Sequence, residues 1–265
     1  MLSIDETRAL SETKPEHNPK SPLYITEELK IPLRDGFEVD ARVYKPRGVP
    51  ADRCPGVVFF HGGGHMVGDL ETKAHLCALF TSLGGIAVNI NYRHAPEHVF
   101  PQAIHDAFDA TKWTAKNAEG LAINPQKGFL LGGESSGADI APVVAHLCFS
   151  DSTVPGRYKD RFFSKEKNSN VPTLSVEALE FIYSKYQPDE KSPLAFPTYF
   201  QVCGLDPLRD CELLMEQVYQ GDGVPKKLDV YPGLPHAFWV PFLDLEVSQK
   251  HTSDTTCGLS WLLAE

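Results

Sequence analysis

Long apolar runs are missing from this sequence: nothing in its 265 residues approaches the roughly 18 consecutive apolar residues that a membrane-spanning helix needs. The apolar core of a secretory signal is missing too, because the N-terminal MLSIDETRALSETKPEHNPK is polar and mixed in charge. The expected location is therefore the cytoplasm, with no membrane partner. The C-terminal LSWLLAE carries no legible address signal. Basic residues are few: 25 Lys and Arg stand against 35 Asp and Glu, a net charge of −10, and the Lys and Arg are not clustered. A nucleic-acid partner, whose phosphates need such clusters, is excluded on that ground. Six cysteines, at 54, 77, 148, 203, 211 and 257, show no CxxC spacing, and without a secretory signal they read as buried thiols rather than a disulfide framework. Internal repeats and low-complexity tracts are absent. What is present is 42% hydrophobic and 23% charged residues, the composition of an ordinary globular chain, read here as one domain over residues 1–265.

Periodicity orders that domain. Residues 1–22 are charged and proline-rich, an N-terminal arm or a fragment of a covering segment. YITEELKIPL and FEVDARVYKP alternate with period two on either side of Arg34-Asp35-Gly36, which predicts a hairpin. Short unbroken apolar runs at Gly56–Phe60, Gly85–Ile90 and Lys127–Leu131 predict strands covered on both faces. Helical spacing predicts helices over Glu71–Leu83, over Pro101–Asn117 with proline at the first helical position, and over Ser136–Leu147. Thr198–Cys203 and Lys226–Tyr231 follow as strands, with helices at Arg209–Gln220 and Glu246–Leu263. Alternation of this kind means an α/β fold with a mostly parallel central sheet and helices on both faces.

Two glycine patterns stand directly after buried strands. In Gly133-Glu134-Ser135-Ser136-Gly137 the small residues permit a sharp strand-to-helix turn that lifts a serine hydroxyl out at the sheet's C-terminal edge, which makes Ser135 the candidate nucleophile. In His61-Gly62-Gly63-Gly64-His65 the glycines let backbone N–H groups approach a ligand. Gly63, Gly64 and the N–H of Ser136 are the candidate donors to an oxyanion. The i,i+4 spacing of His61 and His65 invites a metal reading, but three intervening glycines disfavour the helix it needs. His94 and His98, flanking Pro96, are discounted likewise, so no metal is expected. A serine nucleophile needs a base and an orienting carboxylate. Asp206, after the strand ending in Val202-Cys203-Gly204, and His236, after Tyr231-Pro232-Gly233-Leu234-Pro235, supply both in the chain order Ser, Asp, His. Taken singly, Asp206 reads equally well as a helix cap and His236 as a surface-loop residue.

HGGGH, NYRHAPEHVFPQAIHDA, GGESSG, CGLDPLRD and YPGLPHAF, in that order from about residue 23 onward, resemble the signatures of the hormone-sensitive-lipase-like branch of α/β-hydrolases, and their wording is similar to fungal-type members, some of which serve natural-product pathways. The resemblance implies the α/β-hydrolase fold, a triad of Ser135, Asp206 and His236, an oxyanion hole of Gly63, Gly64 and Ser136, and bracing by His61, Glu134 and Asp210. It implies no cofactor and a small-molecule ester as partner. Oligomeric state is left open, a homodimer included.

One region departs from that pattern. Members of the branch carry a further buried parallel strand after the helix that follows the nucleophile, yet no five-residue apolar run stands between 150 and 197. Leu147–Phe149 is a candidate remnant of it, and Ser175–Tyr186 fits an amphipathic helix inside a shortened substrate-covering segment of about 151–197. A compact active variant, an inactive homologue kept for another role and a chain shortened by a splicing or gene-model error all remain open. The main expectation is a serine hydrolase cleaving carboxylic esters of small to medium acyl groups, since little sequence is left for a large lid. A catalytically impaired small-molecule binder, a lactone or thioester hydrolase, a dehydratase and a cyclase are the alternatives on the same scaffold.

Overall fold

A computed structural model describes residues 8, 21, 23–149, 197–221 and 224–264. The N-terminal arm apart from Arg8 and Ser21, the Ser175–Tyr186 helix and the question of the further strand between 150 and 197 lie outside the described residues. The described residues fall into two compact units, one up to residue 149 and one from 197 onward.

The first unit is built on a five-stranded sheet of order β1-β2-β4-β3-β5. Strands β1 (Tyr24–Pro32) and β2 (Glu38–Pro46) form the expected hairpin. Its loop is closed by Leu33 N–H to the Phe37 carbonyl at 2.8 Å and by the Asp35 side chain accepting from Phe37 N–H at 3.1 Å, with Gly36 at φ +84°. β2 runs antiparallel to β4 (Ile86–Ile90), whereas β3 (Gly56–Phe60) is parallel to both β4 and β5 (Phe129–Gly133). All residues of β3 and β4 are buried, as their unbroken apolar composition requires. Helices α1 (Ala74–Ser82), α2 (Gln102–Lys116) and α3 (Ser136–Phe149) belong to the layers that cover both faces of the sheet.

Several boundaries differ from the sequence expectation, each for a local reason. α1 begins at Ala74 rather than Glu71, because the Asp69 carboxylate accepts from the N–H groups of Glu71 (2.9 Å) and Thr72 (3.1 Å) and holds those residues in a turn. Pro101 is the N-cap of α2 rather than its first residue. β5 starts at Phe129 because Pro125–Lys127 form a 3₁₀ turn capped by Asn124, with Gly128 at φ +126°. Leu147–Phe149 are the last turn of α3, not a strand remnant. Among the described residues β5 pairs with β3 alone and so forms the edge of its sheet.

The second unit pairs β6 (Thr198–Leu205) with β7 (Lys226–Pro235) in parallel, joined through α4 (Arg209–Gly221) and followed by α5 (Glu246–Leu262). Both strands outrun their expected ends, at Cys203 and Tyr231, so that Leu205 pairs with Pro235 past an irregularity between Cys203 and Leu205. Cys203, Tyr231 and Phe238 form a buried cluster against which Leu234, Trp239 and Val247 pack. None of the six cysteines is in a disulfide; Cys54, Cys77 and Cys203 are buried as expected, whereas Cys148, Cys211 and Cys257 are exposed. No helix among the described residues is long and apolar enough to cross a membrane.

Candidate active site

Each glycine of Gly133-Glu134-Ser135-Ser136-Gly137 sits where backbone meets backbone. A Cβ on Gly137 would stand 2.0 Å from the Phe60 carbonyl oxygen, and one on Gly133 would stand 2.1 Å from the Gly137 carbonyl carbon. Between them Ser135 takes φ +53°, a left-handed conformation that costs a non-glycine residue about 1–3 kcal/mol and persists only where the surroundings enforce it. Gly137 N–H donates to the Glu134 carbonyl (3.0 Å) and Ala138 N–H to the Ser135 carbonyl (2.8 Å), which closes the turn into α3. Ser136 is the first residue of α3, where a helix leaves its leading N–H groups without intrahelical acceptors.

The glycine loop after β3 lies directly against this elbow: a Cβ on Gly62 would be 2.9 Å from the Glu134 carbonyl oxygen and 3.3 Å from Ser135 Cβ. Gly63 and Gly64 have φ +117° and +62°, and a side chain on Gly63 would also strike the Val67 carbonyl oxygen at 2.0 Å. The loop is pinned from β4 and the segment after it. Asn89 donates to the Leu70 carbonyl (2.7 Å), and the Tyr92 hydroxyl donates to the His61 carbonyl (2.8 Å). First-unit candidates His61, Gly63, Gly64, Glu134, Ser135 and Ser136 are thus brought to one loop-and-elbow cluster.

His61 itself is fully buried, stacked on the Tyr92 ring with centroids 4.3 Å apart. Its Nδ1 lies 2.7 Å from the Gly62 carbonyl, which can only accept, so Nδ1 carries the proton. His61 Nε2 lies 3.3 Å from both Asn91 Oδ1 and His94 Nε2. Burial pushes His61 down to about 4, and burial followed by the neighbouring His61 pushes His94 down to about 3. Both rings are neutral near pH 7. Among the described residues no group of three or more His, Cys, Asp or Glu is placed to hold a metal ion.

This pair makes acid stability predictable. With a folded value depressed below the ordinary histidine value of about 6.5, stability is fully present above pH 6.5 and is lost as pH falls toward the folded values. Both histidines contribute to that loss, because each must take up a proton in a site that burial makes unfavourable for the charged ring. The melting temperature of the wild type is expected to fall across that window, and that of His94→Leu to fall less steeply. Parallel slopes for the two proteins would refute the assignment.

Nothing in the sequence pointed to Lys73, which is 1% exposed and forms an ion pair with Glu134 beside the candidate nucleophile. A lysine just ahead of a helix ordinarily reads as a solvated residue. Tyr92 and His94 were visible within NYRHAPE but had no role assigned from sequence.

In the second unit, Asp206 and His236 meet as the sequence reading expects: His236 Nδ1 lies 2.6 Å from Asp206 Oδ2. The extension of β7 to Pro235 sets His236 at the strand's end. Asp206 is 2% exposed, and its other oxygen accepts from Leu208 N–H at 2.8 Å, so the carboxylate is fixed from both sides. The bond orients the imidazole with Nδ1–H toward Asp206 and leaves Nε2 as the basic nitrogen. Asp210 sits on the first turn of α4, bound by the Arg209 guanidinium at 2.9 Å, which also reaches the Gly204 carbonyl (3.2 Å).

Comparison with known proteins adds an independent line. Residues 57–240 match the family described as alpha/beta hydrolase fold. An AB hydrolase superfamily protein of Schizosaccharomyces pombe is 34% identical, covering 89% of this chain and 79% of its own. A versiconal hemiacetal acetate esterase of Dothistroma septosporum is 30% identical, over 91% of this chain and 83% of its own. The crystal structure of a vibralactone cyclase superposes with a TM-score of 0.83 at 27% identity, covering 98% of this chain and 85% of that one.

Proposed function

The chain belongs to the alpha/beta hydrolase fold family, in its hormone-sensitive-lipase-like branch, and from that premise we propose that it is a serine hydrolase cleaving carboxylic esters of small to medium acyl groups. The observation that carries the reading is the strained Ser135 elbow with a glycine loop packed against it. That arrangement carries a steric cost, the positive φ of a non-glycine residue at Ser135.

In the proposed reaction His236 Nε2 takes the proton of the Ser135 hydroxyl as its oxygen attacks the ester carbonyl. The reaction therefore requires these two side chains to come within hydrogen-bond reach in the working enzyme. The carbonyl oxygen becomes an oxyanion, held by the N–H groups of Gly63, Gly64 and Ser136; losing one such donor ordinarily costs about 100–1000-fold in rate. Asp206 stabilises the imidazolium, which returns its proton to the departing alcohol. Water, deprotonated by the same histidine, then releases the acid and regenerates Ser135. An esterase at 30% identity whose name specifies an acetate ester supports a small acyl group. The likeness to a cyclase favours one second reading, in which a hydroxyl of the substrate itself intercepts the acyl-enzyme and a lactone leaves in place of the acid.

The test is hydrolysis of p-nitrophenyl butyrate by wild type and Ser135→Ala, both shown to be folded. Turnover in the wild type and a loss of at least about 10⁴-fold in the variant are expected. Equal, negligible rates in two folded proteins would count against ester hydrolysis and favour a binder. Lactone in place of acid from a hydroxy-ester substrate would favour the cyclase reading.

A further inference from the structure

Among the buried groups that the reaction as described leaves unused is a cation, Lys73. Lysine is almost never fully buried unless paired, because its ammonium loses strong hydration. Lys73 is 1% exposed, and the ion pair it makes is with Glu134, whose side chain is 17% exposed. The two residues come from distant points in the chain: Lys73 is the N-cap of α1, and Glu134 is covalently adjacent to Ser135. The Glu134 carbonyl accepts the Gly137 N–H at 3.0 Å and forms the surface on which Gly62 rests, 2.9 Å from where a Cβ on that glycine would lie. Holding the Glu134 side chain therefore holds both the elbow and the spacing between elbow and glycine loop.

Charge adds a second reason for the pair. Negative charge develops on the substrate oxygen during attack, and an uncompensated carboxylate one residue from the nucleophile would oppose it through a partly buried, weakly screened region. From this geometry we infer that Lys73 is a positioning residue for Ser135: its ammonium neutralises Glu134 and fixes the elbow so that the hydroxyl and the Ser136 N–H address the same carbonyl. This inference rests on the serine-hydrolase reading. Lys73 touches no reacting atom; it acts through Glu134.

The experiment compares wild type, Lys73→Met, Lys73→Arg and the double variant Lys73→Met/Glu134→Gln. Turnover of p-nitrophenyl butyrate is expressed per serine labelled by a fluorophosphonate, so that unfolded protein drops out of the ratio. Lys73→Met is expected to lower kcat per labelled serine by about 30–100-fold with KM held within about threefold, the scale set by a misplacement of about 1 Å. The double variant is expected to regain about tenfold or more of that loss, since a partly buried carboxylate deprived of its ammonium is costly and a neutral pair is not. Lys73→Arg keeps the charge and the fold but moves the donor, and is expected to lose about tenfold in kcat at unchanged KM. An unchanged kcat per labelled serine in both single variants would reduce Lys73 to a structural residue and overturn the inference, as would a double variant no faster than Lys73→Met. A wild type that neither labels nor turns over would overturn the hydrolase reading and this inference together, whereas a labelled, active wild type with indifferent Lys73 variants would overturn this inference alone.

Discussion

Asp206→Asn is expected to lower kcat by about 10⁴-fold while leaving the protein folded, the scale of loss that follows a wrong histidine tautomer. The argument turns on which amide atom goes where. Leu208 N–H already donates to Oδ1 of Asp206 at 2.8 Å, so an asparagine keeps its oxygen there and turns its NH₂ toward His236 Nδ1, now 2.6 Å from a carboxylate oxygen. Nδ1 must then accept, the proton moves to Nε2, and Nε2 can no longer take the Ser135 proton. The turn cap survives, so melting temperature is expected to change little. Initial rates on p-nitrophenyl butyrate check the claim; a loss smaller than about tenfold would mean that the pair does not serve a base.

Gly137→Ala is expected to be among the most destabilising single-methyl additions in the first unit. The new Cβ would stand 2.0 Å from the Phe60 carbonyl oxygen and 2.8 Å from that of His61. Both obstacles are backbone at the end of a fully buried strand, so no side chain can swing aside. Ordinary overpacking costs about 1–3 kcal/mol, and this site is expected to reach or exceed the upper end. Gly120→Ala is the matched control, because its nearest atom, the Asn117 carbonyl oxygen, is 3.7 Å away. Its stability is expected to stay within about 0.5 kcal/mol of wild type. Chemical denaturation of the two variants decides the point: a Gly137→Ala protein as stable as Gly120→Ala would show that the elbow is not as tightly wedged as its geometry implies.

Most of the first unit was legible because its signals are strong and local. Short unbroken apolar runs rich in β-branched and aromatic residues and bounded by turn residues fit strands covered on both sides, so Gly56–Phe60 and Ile86–Ile90 were found within a residue. Boundaries failed where a side chain competes with the backbone, as Asp69 does ahead of α1 and Asn124 ahead of β5. The Asp206–His236 contact was legible only as an order of residues along the chain; no periodicity sets a hydrogen bond between residues thirty apart. Lys73 was illegible for a deeper reason. Burial of a charged side chain depends on a partner that arrives from another element, and the sequence around Lys73 carries no trace of Glu134. The His61–His94 pair was hidden similarly: the sequence offered only the discounted i,i+4 spacing of His61 and His65, whereas the ring that reaches His61 Nε2 comes from the segment after β4.

The most direct measurement is intact-mass and peptide mapping of the protein after treatment with a fluorophosphonate, for wild type and His236→Ala side by side. The central claim is that Ser135 is activated by His236. It predicts one adduct per wild-type chain, on the peptide carrying Ser135, and labelling slower by at least about 100-fold in the variant. A folded wild type that takes no adduct, or a variant that labels as fast as wild type, would contradict it.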